Sequence, residues 1–282
     1  MRAAVVGHVE WVEFARVERV PAAGEIIQAN EWWAEAAGGG GVASVQLARL
    51  TGACTLFTAL GRDELGDAAL AQLTGLGVRV EAARHVEPQR RGFTFVDAGG
   101  ERTITIIGEK HVPRGGDSLA WGELAETDGV YFVSGDVAAV QAARRARVLV
   151  ATARSLPVLR EAGVELDALV RSAHDPSERF EPGDLEPPPK LVVATSGREG
   201  GTWSTSDGRA GSFAAVPPAG RVVDTYGAGD SFAAGLTHAL ARGNDVEGAL
   251  DFAAQWASAA LTRRGAHGGL SQAGAPSSRR KM

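Results

Sequence analysis

The chain contains a single cysteine, Cys54, in 282 residues. An intramolecular disulfide is therefore excluded, and the count fits a reducing compartment. Cys54 reads as a small buried apolar side chain rather than a reactive thiol. Positive charge is also in short supply: 29 Lys and Arg stand against 34 Asp and Glu, for a net charge of −5. The footprint of a dedicated nucleic-acid binder is missing, which leaves room only for a local basic pocket for phosphates. No apolar run approaches the roughly 18 residues that a membrane-spanning helix needs. Met1 to Gly7 is a short apolar stretch that runs straight into His8 and Glu10, so no signal peptide and a cytoplasmic location are expected. The G-x-x-x-x-G-K-[ST] pattern is absent, which excludes a P-loop kinase. No internal repeat is present.

What is there suits an α/β protein. Hydrophobic residues make up 44% of the chain, enough for one large domain or two modest ones. Apolar runs at 3–6, 55–60, 130–133, 148–152, 168–172 and 191–195 read as strands. Helical patterns at 42–50, 65–76, 138–147, 157–162 and 246–261 fall between them. This alternation predicts a mostly parallel sheet covered by helices on both faces. Two segments break the rhythm. Residues 12–20 alternate loosely and are followed by a Pro21–Gly24 turn and an extended piece at 25–34. Residues 93–96 and 103–107 are β-rich runs around Gly99-Gly100, the pattern of a hairpin. Together they predict a small β-sheet apart from the main body. Residues 201–216 read as a β-meander, and the Ser/Arg/Lys-rich tail at 271–282 as frayed.

The most informative stretch is Asp224-Thr-Tyr-Gly-Ala-Gly-Asp-Ser-Phe-Ala-Ala-Gly235. A small-residue turn, Gly227-Ala228-Gly229, opens an apolar helical run at 231–240. Such a turn offers backbone N–H groups to an anion. Asp230, in the same turn, can take a proton from a substrate hydroxyl. An anion cradle beside a base is what phosphoryl transfer to an alcohol requires.

This stretch closely resembles the signature of the ribokinase-like (PfkB) carbohydrate kinases, and further motifs follow in the family's order. Gly38 to Gly52 resembles its N-terminal glycine signature, and Leu60-Gly-Arg-Asp-Glu-Leu-Gly66 its G-x-D-x-x-G turn. Val193-Ala-Thr-Ser-Gly-Arg-Glu-Gly-Gly201 resembles its nucleotide-side T-x-G-x-x-G, and Leu261-Thr-Arg-Arg-Gly-Ala266 its C-terminal loop. The resemblance implies a three-layer α/β sandwich with a mostly parallel central sheet at 1–270. Lid segments near 10–35 and 88–110 would form a small β-sheet. It further implies ATP and Mg²⁺ as cofactors, a small sugar or nucleoside as partner, and a homodimer built through the lid.

Roles follow residue by residue. Asp230 would be the base, with Gly227, Ala228 and Gly229 as the anion hole. Thr195, Gly197 and Gly200 would lie along the nucleotide phosphates, with Arg263 and Gly265 beside the adenine. Gly38, Gly39 and Gly40 would let the sugar approach the backbone. Asp224 and Tyr226 occupy the place where some members bind a monovalent cation; Tyr226 replaces a smaller residue, and potassium dependence stays open. Asp175, in Ser172-Ala-His-Asp175, is favoured for the element that organises Mg²⁺, with Asp175-Pro-Ser-Glu178 as a neighbouring alternative.

The sugar side departs from the family. The usual asparagine is replaced by Ala43, and Val12 stands where an aspartate is expected. Glu10 or Glu13 would substitute for it. Arg102, in the hairpin, reads as a solvated turn charge.

The reaction expected is ATP-dependent phosphorylation of a sugar hydroxyl, a hydroxymethyl in the first instance. A nucleoside kinase is one alternative, with Trp11, Phe14, Trp32 and Trp33 to stack a base. A non-catalytic sugar or nucleotide sensor is another. A dinucleotide-dependent oxidoreductase matches only loosely, through Gly38-x-Gly40-x-x-Ala43 and Asp63, because Glu31 to Ala37 is not a convincing first strand.

Overall fold

The computed structural model describes residues 1–268; the expected tail at 271–282 lies outside the described residues. The parallel core is built from short apolar runs: β1 (Ala3–Val6), β4 (Cys54–Gly61), β5 (Val78–His85), β8 (Gly129–Phe132), β9 (Val148–Thr152), β10 (Ala168–Ser172) and β11 (Leu191–Thr195). The meander segment supplies β12 (Gly201–Thr205) and β13 (Ala210–Phe213), which join antiparallel at one edge. The nine strands are ordered β13-β12-β11-β10-β9-β8-β1-β4-β5.

Strand alternation splits the interior into two cores. Ala3 and Val5 of β1 face one side, with α1 (Gly38–Thr51), α2 (Glu64–Gly75), α5 (Ala228–Ala241) and α6 (Val246–Ala260) packed over them. Ala4 and Val6 face the other, under α3 (Val137–Ala143) and α4 (Leu156–Ala162). Buried on both faces, these strands carry near-continuous apolar runs, as a parallel sheet requires. Cys54 lies within the first core, where burial pushes its thiol far above the ordinary range. No helix among the described residues is long and apolar enough to cross a membrane.

The second sheet has four strands in the order β3-β2-β6-β7, from β2 (Glu10–Arg16), β3 (Glu31–Ala37), β6 (Arg91–Val96) and β7 (Arg102–Ile107). β2, β6 and β7 lie within the two segments expected to form the lid, and β3 runs past the end of the first, to Ala37. Three details differ from the sequence reading. The stretch at 25–34 becomes a strand only from Glu31, where its pairing with Arg16 at the end of β2 begins; a turn at Ala22–Glu25 precedes it. Glu31–Ala37 is a full strand, despite its acidic residues. It pairs antiparallel with β2 in the small sheet while β4 lies in the large one, so no βαβ dinucleotide unit forms around the glycines. Finally, α1 begins at Gly38 rather than near Val42, so the glycines form its first turn.

Candidate active site

The exit of β1 and the first turn of α1 meet at the carboxyl end of the central strands, where open α/β sheets place their ligands. Gly40 donates its N–H to the His8 carbonyl at 3.0 Å. A Cβ at Gly40 would stand 2.6 Å from that same oxygen, so only glycine lets the helix start so close. Gly38, at φ +74°, lies against Glu10: its Cβ position is 3.2 Å from Glu10 Cγ. Gly39 faces α5. A Cβ there would be 2.7 Å from Val133 Cγ1 and 3.1 Å from Asp230 Oδ1. Two glycine motifs separated by almost two hundred residues of sequence thus close on one carboxylate.

Helix α5 begins at Gly227, whose left-handed φ of +73° turns the chain into the helix. Its Cβ position is 2.8 Å from Val42 Cγ1, which again excludes a larger residue. The N–H groups of Gly229 and Asp230 have no acceptor among the described residues. Nothing lies within 4 Å of the Gly229 Cβ position, so this helix start opens onto free space. It can take an anion through its N–H groups and its dipole. Asp230 keeps a solvent-facing edge but is largely walled in, and burial raises its carboxyl to about 6. Arg154 and Arg102 oppose that rise; Glu178 and Glu10 add to it. A carboxylate near neutrality on a short lever from an anion cradle is suited to general-base work.

The remaining expected residues are distributed unevenly. Glu10 is 6% exposed, points to the glycine turn, and pairs with Arg90 Nε at 2.7 Å. Glu13 is on the opposite face of β2, where it accepts from Arg91 at 2.7 Å, so the structure brings Glu10 and not Glu13 to the pocket. Val12 and Ala43 are both fully buried and supply no polar group. Asp175 accepts from Ser177 at 2.9 Å and pairs with Arg154, which lowers its pKa. Glu178, three residues on, also pairs with Arg154, at 2.6 Å, and it is the one of the two whose charge reaches Asp230. Its signal in the sequence was the Asp175-x-x-Glu178 spacing.

On the nucleotide side, Thr195 ends β11 and Gly197 has open space at its Cβ position. Gly200 is pressed on β13: its Cβ position is 2.1 Å from the Phe213 carbonyl, a packing reason for glycine. Asp224 is 2% exposed and braces two loops, accepting from Tyr226 N at 2.8 Å and from Gly265 N at 3.0 Å. Tyr226 turns its hydroxyl to the Gly38 N–H at 3.4 Å and its ring edge to Phe14. Arg263 packs across Gly268 in the same C-terminal loop as Gly265. Glu35 of β3 holds that loop through the Ala266 N–H at 2.7 Å, and burial raises its carboxyl to about 7.

Three participants had no role assigned from sequence. His8 accepts or donates at Ser134 Oγ, 3.0 Å from Nδ1, and burial lowers its pKa to about 3, so it is neutral at physiological pH. Arg154 and Arg90 come from connections with no local motif. Arg102 is exposed, as expected of a turn charge, and it also donates to Thr225 O at 2.9 Å and Oγ1 at 3.1 Å. Thr225 in turn donates from N and Oγ1 to Gly100 O, both at 3.2 Å, so the lid hairpin is buttoned onto the Asp224–Asp230 loop.

A mostly parallel α/β sandwich with a β lid, closing the Asp230 carboxylate and an open helix start together, is an architecture suited to an alcohol phosphotransferase. The chain belongs to the pfkB family of carbohydrate kinases, whose family model matches residues 2–157 and 164–273. It is 27% identical over 270 residues to a ribokinase of Bacillus subtilis, covering 90% of each chain. It is 28% identical over 291 residues to an ATP-dependent ribose-1-phosphate kinase of Halopiger xanaduensis, covering 94% of each. Its fold superposes with a TM-score of 0.72 on an Arabidopsis thaliana ribokinase solved with ribose and ATP, at 21% identity over 94% of this chain and 93% of that one.

Proposed function

We propose that this protein transfers the γ-phosphoryl of ATP to a hydroxymethyl group of a small sugar, with Asp230 as the base. The observation that carries this reading is the closure of Gly39 and Asp230 on each other at the open start of α5. The acceptor would lie along Gly38 to Gly40 with its hydroxyl at Asp230. The carboxylate takes the hydroxyl proton as the oxygen attacks phosphorus, a contribution of about 10²–10⁴-fold. The N–H groups of Gly229 and Asp230 meet the negative charge of the phosphoryl group. Lid strands docked through Arg102 and Thr225 exclude water that would otherwise compete as acceptor.

ATP would run from this helix start towards Thr195, Gly197 and Gly200, with Arg263 and Gly265 on the adenine side. Bound Mg²⁺ would supply charge neutralisation on the phosphates. Both Asp175 and Glu178 already carry Arg154, and no group of three or more His, Cys, Asp or Glu among the described residues forms a ready cage. That donor set fits an ion carried by the nucleotide and reached through water, with Glu178 the nearer carboxylate. For a monovalent cation, Asp224 and Tyr226 are the candidates: Asp224 is buried beside the start of α5, and its two oxygens already accept from Tyr226 N and Gly265 N.

A sugar is favoured over a nucleoside because the lid aromatics are occupied. Phe14 and Trp33 stack on each other with centroids 4.9 Å apart, and Trp32 is turned to solvent. The exposed edge strand β7, with Ile104, Ile106 and Ile107 facing solvent, supports pairing with a second copy through the lid. A cytoplasmic setting suits an ATP-dependent enzyme with one buried thiol. The test is ATP consumption over a panel of sugars and nucleosides, with Asp230→Asn as control. A sugar that stimulates turnover only in the parent protein supports the reading; ligands that bind without turnover sink it in favour of a sensor.

A further inference from the structure

We propose that the acceptor pocket is shaped for a sugar that already carries an oxyanion, a phosphate or a carboxylate, gripped by Arg90 with Lys110 beside it. This rests on the kinase reading above and adds the class of acceptor. Arg90 is held in place before any ligand arrives. Its carbonyl accepts from Trp11 N at 3.0 Å. The neighbouring Gln89 is fixed at three points: its N–H to Asp63 Oδ2 at 2.9 Å, its Nε2 to Val9 O at 2.8 Å, and its Oε1 from Gly61 N at 3.0 Å. The G-x-D-x-x-G turn thus sets the rail on which Arg90 sits. The side chain is only 17% exposed, and Nε is 2.7 Å from Glu10, though off the line of a good hydrogen bond. Neither terminal nitrogen has a protein acceptor among the described residues, and neither is sealed from solvent. A guanidinium left with its fork free matches a bidentate oxyanion.

Lys110 supplies a second positive charge at the same place. The next residue, His111, is buried with Nε2 2.8 Å from Pro88 O, which pins Lys110 beside the 88–90 segment. Lys110 is exposed and makes no ion pair among the described residues. Its charge and that of Arg90 are felt at both His8 and Glu10. Glu10 balances one of the two cations, and neutral His8 balances none. Arg154 is already matched by Asp175 and Glu178. Arg90 thus has Glu10 as its one ion-pair partner among the described residues, and Lys110 has none. The acceptor side offers little to a neutral sugar, since Val12 and Ala43 are apolar and fully buried. Arg90 Nε is 2.7 Å from Glu10, whose Cγ stands 3.2 Å from the Cβ position of Gly38, in the glycine turn that touches Asp230.

The test is steady-state ATP consumption with matched acceptors that share a free hydroxymethyl group: ribose against ribose 1-phosphate, fructose against fructose 1-phosphate and fructose 6-phosphate, glucose against gluconate. The phosphate and carboxylate arms separate the two sources of the oxyanion. At least one anionic member is expected to exceed its neutral partner in kcat/KM by about 100-fold, the scale of charge-assisted contacts. Arg90→Gln should shrink that ratio at least about tenfold, mainly through KM. Lys110→Gln, at an exposed position, should shrink it in the same way if the buried-site variant folds poorly. Preference for the neutral member in every pair overturns the inference and leaves the kinase reading standing. Equal losses on neutral and anionic acceptors in both variants also overturn it. Silence from every sugar overturns both.

Discussion

The two walls of the pocket have been treated differently. On the α5 side, Gly227, Ala228, Gly229 and Asp230 keep the motif read from the sequence; Gly227 has a steric reason in Val42, and Gly229 opens onto free space. On the lid side, β2 presents Glu10 and Val12, and α1 presents Ala43, where polar sugar contacts are expected; the positive charges of Arg90 and Lys110 stand beside Glu10. Phosphoryl transfer makes the same demands whatever the alcohol, so its wall tolerates little change. Recognition of the acceptor can be rebuilt residue by residue without touching the chemistry.

This contrast can be broken from either side. The largest effect is expected at the base: Asp230→Asn should lower kcat by about 10³-fold or more while Tm stays within a few degrees. Loss of activity smaller than about tenfold would move the base elsewhere. Gly39→Ala comes next. Its methyl would meet Val133 and crowd Asp230, so kcat should fall about 10–100-fold, the cost of displacing a reacting group by a fraction of an ångström. Gly227→Ala should instead read mainly as stability, with a loss of about 2 kcal/mol in chemical denaturation, because the substitution is strained at φ +73° and crowds Val42.

Two smaller effects concern protons. Asp230 must be ionised to act, and its pKa is raised to about 6. Activity should therefore rise with pH through about 6 and level off above it, measured as kcat/KM; a flat profile from pH 5 to 8 would contradict the assignment. Glu35 carries a carboxyl raised to about 7, so the folded state holds its proton more tightly than the unfolded chain does. Its stability contribution is present below the unfolded value and is lost as pH rises through about 7. Glu35→Gln should accordingly gain on the parent protein between pH 5 and pH 8, by about 1–2 kcal/mol at the upper end.

The sheet and its helices were legible because strand and helix periods alternate over most of the chain, and the lid because residues 12–34 and 93–107 break that alternation. Glu31–Ala37 was not, since two glutamates obscured a strand whose Glu35 is buried to hold the C-terminal loop. The helical pattern in the sequence starts only at Val42, because helix propensity argues against glycine, whereas the close approach of His8 and Asp230 requires glycines in the first turn. The phosphate side of the site could be read from local motifs. The acceptor side could not, because Arg90, Lys110 and Arg154 arrive from three separate connections and gain meaning only where the fold gathers them. Glu10 and Glu13 show the limit most plainly. They are three apart in sequence, and only the strand's twofold period separates the one that faces the pocket from the one paired with Arg91.

The claim that an intact transfer wall serves a rebuilt acceptor wall is tested most directly by one experiment. ADP release would be followed with each sugar of the panel in the parent protein and in Asp230→Asn. The account predicts acceptor-stimulated turnover in the parent, absent in the variant, with acceptor binding retained in both. Acceptor-stimulated turnover that survives in Asp230→Asn would contradict it.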